Sequence, residues 1–248
     1  MTTEPPFTIH RGIKARGKGL PMHAHAEAQL TFAATGTVQV HTSEGRWLVP
    51  PQLAVWIPAG VMHRAEVLTD AELWMVHWQP AFLRAQAPPS LPAHAFALRV
   101  TPLLRSLLDT AFATETAEPK AGLVVRLMLH ELTEIADAPT FLPLPKSRVG
   151  RRAADIALDD HTNSLEAAEL ASRAATSVRT LSRLFPAETG MTLKAWRQRA
   201  RIVYAMDRLA RGETIARVAV VSGFASTAAF SHAFRQVTAI TPTAFLGR

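Results

Sequence analysis

The chain contains no cysteine. That excludes disulfides and thiolate metal sites, and it fits a reducing compartment. It also lacks any run of eighteen apolar residues, so no membrane span and no membrane partner are expected. The opening residues, MTTEPPFTIHRGIK, have no apolar stretch behind a basic head, so no secretory signal is expected and the expected location is cytoplasmic. Negative charge is scarce in one part of the chain only. Residues 148–248 hold fifteen Lys and Arg against eight Asp and Glu, whereas residues 1–147 hold twelve of each. The whole net charge of +7 therefore falls on the last hundred residues, and fourteen of their fifteen basic residues are Arg. Arg suits forked contacts to phosphates and guanine edges better than Lys does. Charge alone admits either a nucleic-acid partner or a solvated basic face.

Three regions separate by pattern. Residues 7–80 read as short strands, among them QLTFAATG, TVQVHTSEG, RWLVP, AVWIPAG and ELWMVHW. Glu44-Gly45 reads as a hairpin turn. Strands at this spacing suggest a sandwich or small barrel. Residues 101–136 switch to helical period. Leu103, Leu104, Leu107, Leu108 and Phe112 share one face, and Leu123, Leu127, Met128, Leu132 and Ile135 another. The stretch 138–147 carries three prolines and no period, so it reads as a linker ahead of an independently folding tail.

That tail repeats itself. SVRTLSRLFPAETGMT (177–192) and STAAFSHAFRQVTAITP (226–242) lie 49 residues apart. Each opens on Ser, with an apolar residue four positions on (Leu181; Phe230) and Phe eight positions on (Phe185; Phe234). Ser is a good helix N-cap, and offsets of four and eight share one buried face. The other face then carries Arg179, Ser182 and Arg183 in the first copy, and Ala228, Ser231, His232 and Arg235 in the second. A shorter Ala-rich helix precedes each copy, at 164–174 and 213–223, and Gly223-Phe224 supplies a tight turn. Between the copies, residues 192–212 form a long helix with Leu193, Trp196, Val203, Met206 and Leu209 as its apolar face, ended by Gly212.

From about residue 150 onward the chain resembles the AraC/XylS family of bacterial transcription regulators. The resemblance rests on LSRLF…ETGMT, the linking helix, VAVVSGF, the paired AF segments and Thr241-Pro242. It implies two helix-turn-helix units whose reader helices enter successive major-groove segments on one face of double-stranded DNA. Ser177, Arg179, Thr180, Ser182 and Arg183 are the expected contacts of the first reader. Ser226, Thr227, Ala228, Ser231, His232 and Arg235 are those of the second. Two positions depart from the family. Pro186 predicts a bend or early end beyond the DNA-facing residues. Ala239 stands where the family usually has Gly.

LPMHAHAEAQLTFAATG (20–36) contains His23, His25 and Gln29, and PPQLAVWIPAGVMH ends at His63. Alternation puts His23 and His25 on one strand face. With His63 they form a candidate site for a divalent first-row metal. The other reading is a metal-free pocket of His23, His25, Gln29 and His63 that hydrogen-bonds an effector. This region resembles a cupin, and more closely the cupin sensor of some AraC-type regulators. Cupins carry Glu where this chain has Gln29, while Glu27 is out of register and expected to point away. Trp47, Trp56, Trp74 and Trp78 read as core or dimer contacts.

The expected fold is thus α+β in two domains: a cupin-like β-barrel with following helices, then an all-α tandem helix-turn-helix domain. The expected boundaries are 1–98 for the sensor, 99–137 for a helical dimerisation or coupling segment, 138–148 for a linker and 149–248 for the DNA-binding domain. The expected function is a DNA-binding regulator answering to a small-molecule effector, a homodimer that works with RNA polymerase, and no enzyme. The alternatives are a cupin-type metalloenzyme with an accessory DNA-binding tail, or an unspecific architectural nucleic-acid binder. Paired readers with distinct side chains oppose the last.

Overall fold

The computed structural model describes residues 5–113, 118–135, 138, 140–238 and 240–246. The chain forms two compact units, Met1–Thr42 with Val49–Ala138, and Ser43–Leu48 with Pro139–Arg248. The strands up to the first helix are β1 (Phe7–Lys14), β2 (Gly19–His23), β3 (Ala28–Thr35), β4 (Val38–Thr42), β5 (Gly45–Val49), β6 (Leu53–Ile57), β7 (His63–Val67) and β8 (Ala71–Trp78). Helix α1 (Pro80–Gln86), strand β9 (Phe96–Arg99) and helices α2 (Pro102–Ala111) and α3 (Glu118–Glu131) complete the first unit, to which all of these strands belong except β5, whose Gly45–Leu48 lies in the second unit.

In that unit one antiparallel sheet runs β1-β8-β3-β6-β9. A second antiparallel set pairs β2 and β4 to either side of β7. Alternation along β3 and β8 decides the layers. Ala28, Leu30 and Phe32 on β3, with Trp74, Val76 and Trp78 on β8, pack with Leu104, Leu107 and Leu108 of α2 and Val125, Met128 and Leu129 of α3. The intervening residues, Gln29 and Thr31 on β3 and His77 on β8, take the opposite sheet face. Register sets Gln29 across from His77, and His23 across from His63. The apolar faces expected at 99–137 to serve dimerisation or coupling are therefore largely spent inside this unit. Only Leu103, Leu123 and Leu127 of them are left exposed.

Apart from Ser43–Leu48, the second unit runs from Pro139, within the stretch expected to be a linker. Phe141–Pro143 forms strand β10, antiparallel to β5, with Phe141 across from Trp47 and their rings stacked 4.5 Å apart. Leu142 and Leu144 enter the core of the following helices. The Trp196 indole N–H donates to the Pro143 carbonyl at 2.6 Å. Pro143 has no N–H to give a ladder, but its carbonyl remains an acceptor. Helices α4 (Arg148–Asp159), α5 (Ala167–Arg173), α6 (Val178–Thr189), α7 (Leu193–Ala210), α8 (Ile215–Val221), α9 (Thr227–Thr238) and α10 (Pro242–Phe245) follow. Six of these seven start on a Ser or Thr whose hydroxyl accepts the amide three residues on: Ser147, Ser177, Thr192, Thr214, Ser226 and Thr241. Each such cap contributes about 1 kcal/mol.

Leu181, Phe185, Phe230 and Phe234 are fully buried, as the repeat required, and so is Trp196 of the linking helix. Phe185 meets Trp196 edge to face at 5.3 Å, and Phe230 meets Phe234 at 5.6 Å. Of the bend or early end expected at Pro186, the early end does not occur. Helix α6 continues through it to Thr189, and Gly190 closes the helix with φ +71 and an N–H donated to the Pro186 carbonyl. Pro186 and Ser182 both lie on the exposed face, so water can take the Ser182 carbonyl that loses its amide. Ala239 lies outside the described residues.

Candidate functional site

The two units carry separate sites. In the second unit, α5 with α6 and α8 with α9 form the two helix pairs. The turn of the first pair holds Ala175 at φ +55, and that of the second Gly223 at φ +70. In α6, Ser177, Arg179, Thr180, Ser182 and Arg183 are all exposed. Ser177 and Thr180 are partly spent on the cap, their hydroxyls 2.9 Å apart. The Ser182 hydroxyl donates to the Val178 carbonyl at 2.9 Å. The Arg179 and Arg183 side chains make no hydrogen bond or ion pair among the described residues. In α9, Ser226, Thr227, Ala228, His232 and Arg235 are exposed and Ser231 is half-buried. Ser226 caps the helix by accepting from the Ala229 amide at 3.1 Å.

The arginine excess divides by use. Arg197 pairs with Asp160 at 2.9 Å, Arg208 with Glu213 and Arg211 with Asp207. Arg201 donates to the Ser222 and Gly223 carbonyls. Burial alone would raise the Asp160 carboxyl. Hydrogen bonds from the Leu165 and Ser164 amides, the Ser164 hydroxyl and Arg197 outweigh it and hold the group below the usual carboxylate range.

In the first unit, His23, His25 and His63 converge as expected. One ring nitrogen from each lies within 4.8 Å of the others. His23 ends β2, His63 opens β7 across from it, and His25 follows two residues after the strand. Their Nδ1 atoms lie 2.8, 2.9 and 2.8 Å from the carbonyls of Pro21, Glu27 and Val61. A ring that donates from Nδ1 to a carbonyl keeps its lone pair on Nε2, the tautomer of a metal ligand. His63 Nε2 is buried with no hydrogen-bond partner among the described residues. Burial lowers its pKa, with His23 and His25 adding to the effect against the bond to Val61, so the ring is held neutral.

Gln29 is buried beside this group. Its Oε1 lies 2.9 Å from His25 Nε2 and 3.0 Å from His77 Nε2, and its Nε2 lies 2.6 Å from Thr31 Oγ1. Two proton arrangements satisfy these distances. In one, the amide oxygen accepts from the ring N–H groups. In the other the amide is turned, its NH2 donates to a ring lone pair, and its carbonyl accepts from Thr31. Glu27 does not point away as expected, because its carboxylate lies 3.6 Å from His25 Nδ1. The reason is that residues 24–27 lie between β2 and β3, where strand alternation does not apply. His77 was missed in the sequence. It contacts the rings of His25 and His10, and burial, with His25 and His10 adding, lowers its pKa to about 4.

The comparisons follow the same division. Residues 10–132 match the family model for an AraC-like ligand binding domain, and residues 170–248 that for a helix-turn-helix domain. The HTH-type transcriptional regulator NimR of Escherichia coli K12 is 30% identical over 98% of this chain and 87% of its own length. The HTH-type transcriptional regulator RipA of Corynebacterium glutamicum is 35% identical over 42% of this chain and 31% of its own. A crystal structure of ToxT from Vibrio cholerae O395 covers 98% of this chain and 97% of its own at 12% identity, with a TM-score of 0.42, too low to carry an argument. This chain belongs to the AraC family of helix-turn-helix transcriptional regulators, with an AraC-like ligand-binding domain ahead of its DNA-binding domain.

Proposed function

We propose that α6 and α9 read successive major-groove segments of an operator, and that the occupant of the histidine group in the first unit controls this binding. The observation that carries the reading is the convergence of His23, His25 and His63, each with Nδ1 on a backbone carbonyl, in a chain whose other unit presents two exposed reader faces. The donor set fits a divalent first-row metal held by His23, His25 and His63 through Nε2. Such an ion would supply a Lewis-acidic point at which an effector with a carboxylate or other oxygen donor is fixed. His63, held neutral by burial, needs no deprotonation to bind it. A metal-free pocket is the second reading, favoured by the Gln29 amide that already engages His25 and His77.

The test is metal analysis of full-length protein purified without chelator, beside His25→Ala. Stoichiometric metal that His25→Ala releases supports the metal site, and no metal in the intact protein supports the metal-free pocket. Effector response that survives His25→Ala unchanged refutes both. The named relatives are regulators, which supports a sensor over the enzyme alternative. Leu103, Leu123 and Leu127 are the surface we assign to a homodimer, and RNA polymerase and a cytoplasmic location follow from the regulatory role. The DNA contacts we assign are Arg179 and Arg183 in α6, and Ala228, Ser231, His232 and Arg235 in α9, with the caps Ser177 and Ser226 and their neighbours Thr180, Ser182 and Thr227 placed against the backbone.

A further inference from the structure

The geometry points to Arg197 and Arg201 of α7, with Asp160, Thr162 and Gly223, as a clasp that sets the spacing of the two reader helices. It thereby sets the spacing of the two half-sites the protein accepts. The inference rests on reading α6 and α9 as the two DNA-contacting helices.

Residues 197 and 201 are four apart, so they stand on one face of α7 about 6 Å apart along its axis. Each grips a different helix pair. Arg197 Nη2 donates to Asp160 Oδ2 at 2.9 Å and to the Leu165 carbonyl at 2.8 Å. Asp160 in turn accepts from the Ser164 and Leu165 amides at 2.9 and 3.0 Å. This is the loop that leads into α5, the first helix of the first pair. Arg201 donates through Nε and Nη2 to the Ser222 carbonyl at 3.0 and 2.8 Å, and through Nη2 to the Gly223 carbonyl at 2.9 Å. Its guanidinium lies 4.0 Å from the centre of the Phe224 ring. Ser222–Phe224 is the turn between α8 and α9, so this arginine holds the entry to the second reader.

The two gripped loops also touch each other. A Cβ built on Gly223 would stand 2.2 Å from the Thr162 carbonyl oxygen. The turn of the second pair therefore sits on the loop of the first with no room for a methyl group. Arg197 and Asp160 keep only 11% and 6% of their side-chain surface exposed, so the pair is shielded from competing water and ions. A planar guanidinium bonds two carbonyls while stacking on a ring. An ammonium provides the charge without that fork. Arg197 and Arg201 are thus positioning residues: the Arg197 charge is spent on Asp160, and Arg201 spends Nε and Nη2 donors on the Ser222 and Gly223 carbonyls.

The test uses full-length protein and duplexes selected by it from a random library, followed by versions with one base pair inserted or removed between the half-sites. Hydroxyl-radical footprints of the wild type should show two protected segments about one helical turn apart. Each misplaced base pair should weaken wild-type binding about tenfold or more. Arg201→Ala should bind the parent duplex more weakly yet treat all spacings within about threefold. Arg201→Lys keeps the charge and should give a smaller broadening of the same kind. It carries the test where Arg201→Ala does not fold. Loss by one common factor at every spacing in both variants overturns the clasp, because general destabilisation moves affinity and not spacing preference. A wild-type footprint of one segment overturns the two-reader reading and the clasp with it.

Discussion

Arg183→Ala separates base reading from phosphate neutralisation. Arg179 and Arg183 stand one helical turn apart, about 6 Å along α6. Base pairs rise about 3.4 Å, so the two side chains reach base pairs about two steps apart. Both are exposed and unpaired among the described residues. Removing one should change fold stability by less than about 0.5 kcal/mol. Their neighbour Ser182 has its hydroxyl turned onto the Val178 carbonyl, which leaves the arginines as the principal donors of that face. A forked contact to guanine O6 and N7 discriminates by about 1–3 kcal/mol, or roughly 5- to 150-fold at one position. The assay is competition binding of wild type and Arg183→Ala to every single-base variant of a selected operator, at two salt concentrations. The expected result is lost preference at one or two G·C pairs in one half-site. A phosphate clamp would instead weaken every variant equally and lower the salt slope by about 0.9. That outcome would refute the reading. His232→Ala, on a reader that offers Ala228 and Ser231 at matching positions, should cost less.

A fragment starting at residue 148 should be less stable than one starting at 139. Burial of Leu142 and Leu144 contributes about 3–6 kcal/mol, and the Trp196 indole loses its acceptor at a cost of about 1–3; equal urea midpoints would refute this. Asp160→Asn should destabilise the protein by about 3–5 kcal/mol near neutral pH. Because the Asp160 carboxyl is held below its ordinary range, its contribution is full above about pH 3.9 and is lost as pH falls through the lower folded value. The gap between wild type and variant should close there, and a gap independent of pH would show that its charge is idle. Binding to the whole operator should weaken more steeply with salt than binding to a duplex carrying one half-site, with nearly one unit of slope for each extra phosphate contacted, and equal slopes would refute the second reader's contact.

The second unit was legible because its signals are local. Ser177 and Ser226, and the offsets to Phe185 and Phe234, lie within one helix each, where period 3.6 fixes the buried face. The histidine group was legible only in part. His23 and His25 do converge, but not on one strand face as alternation predicts, because β2 ends at His23 and His25 lies in the loop after it; His77 sits in ELWMVHW among tryptophans that read as core. The signal was present: Gln29 and Thr31 are polar alternates on β3, and a facing strand must supply the partner. Only the register that sets Gln29 across from His77 identifies it. Strand β10 was illegible because three residues give no period and Pro143 reads as a breaker. Its pairing with β5, about a hundred residues earlier in the chain, is a non-local fact. The faces of α2 and α3 were visible as apolar, but periodicity does not say whether a sheet or a second copy covers them.

The pairing of β10 with β5 has a consequence for engineering. Sensor exchange between regulators is ordinarily planned as a single cut between two domains. Here a cut near residue 138 sends Gly45–Leu48 away with the sensor and leaves Phe141–Pro143 as an open strand edge, which invites pairing with other chains. A working chimera must either import a sensor whose own hairpin matches Phe141 and Leu142 in the place of Trp47 and Arg46, or carry that hairpin across as a graft. The exchangeable cassette in this protein is discontinuous in sequence.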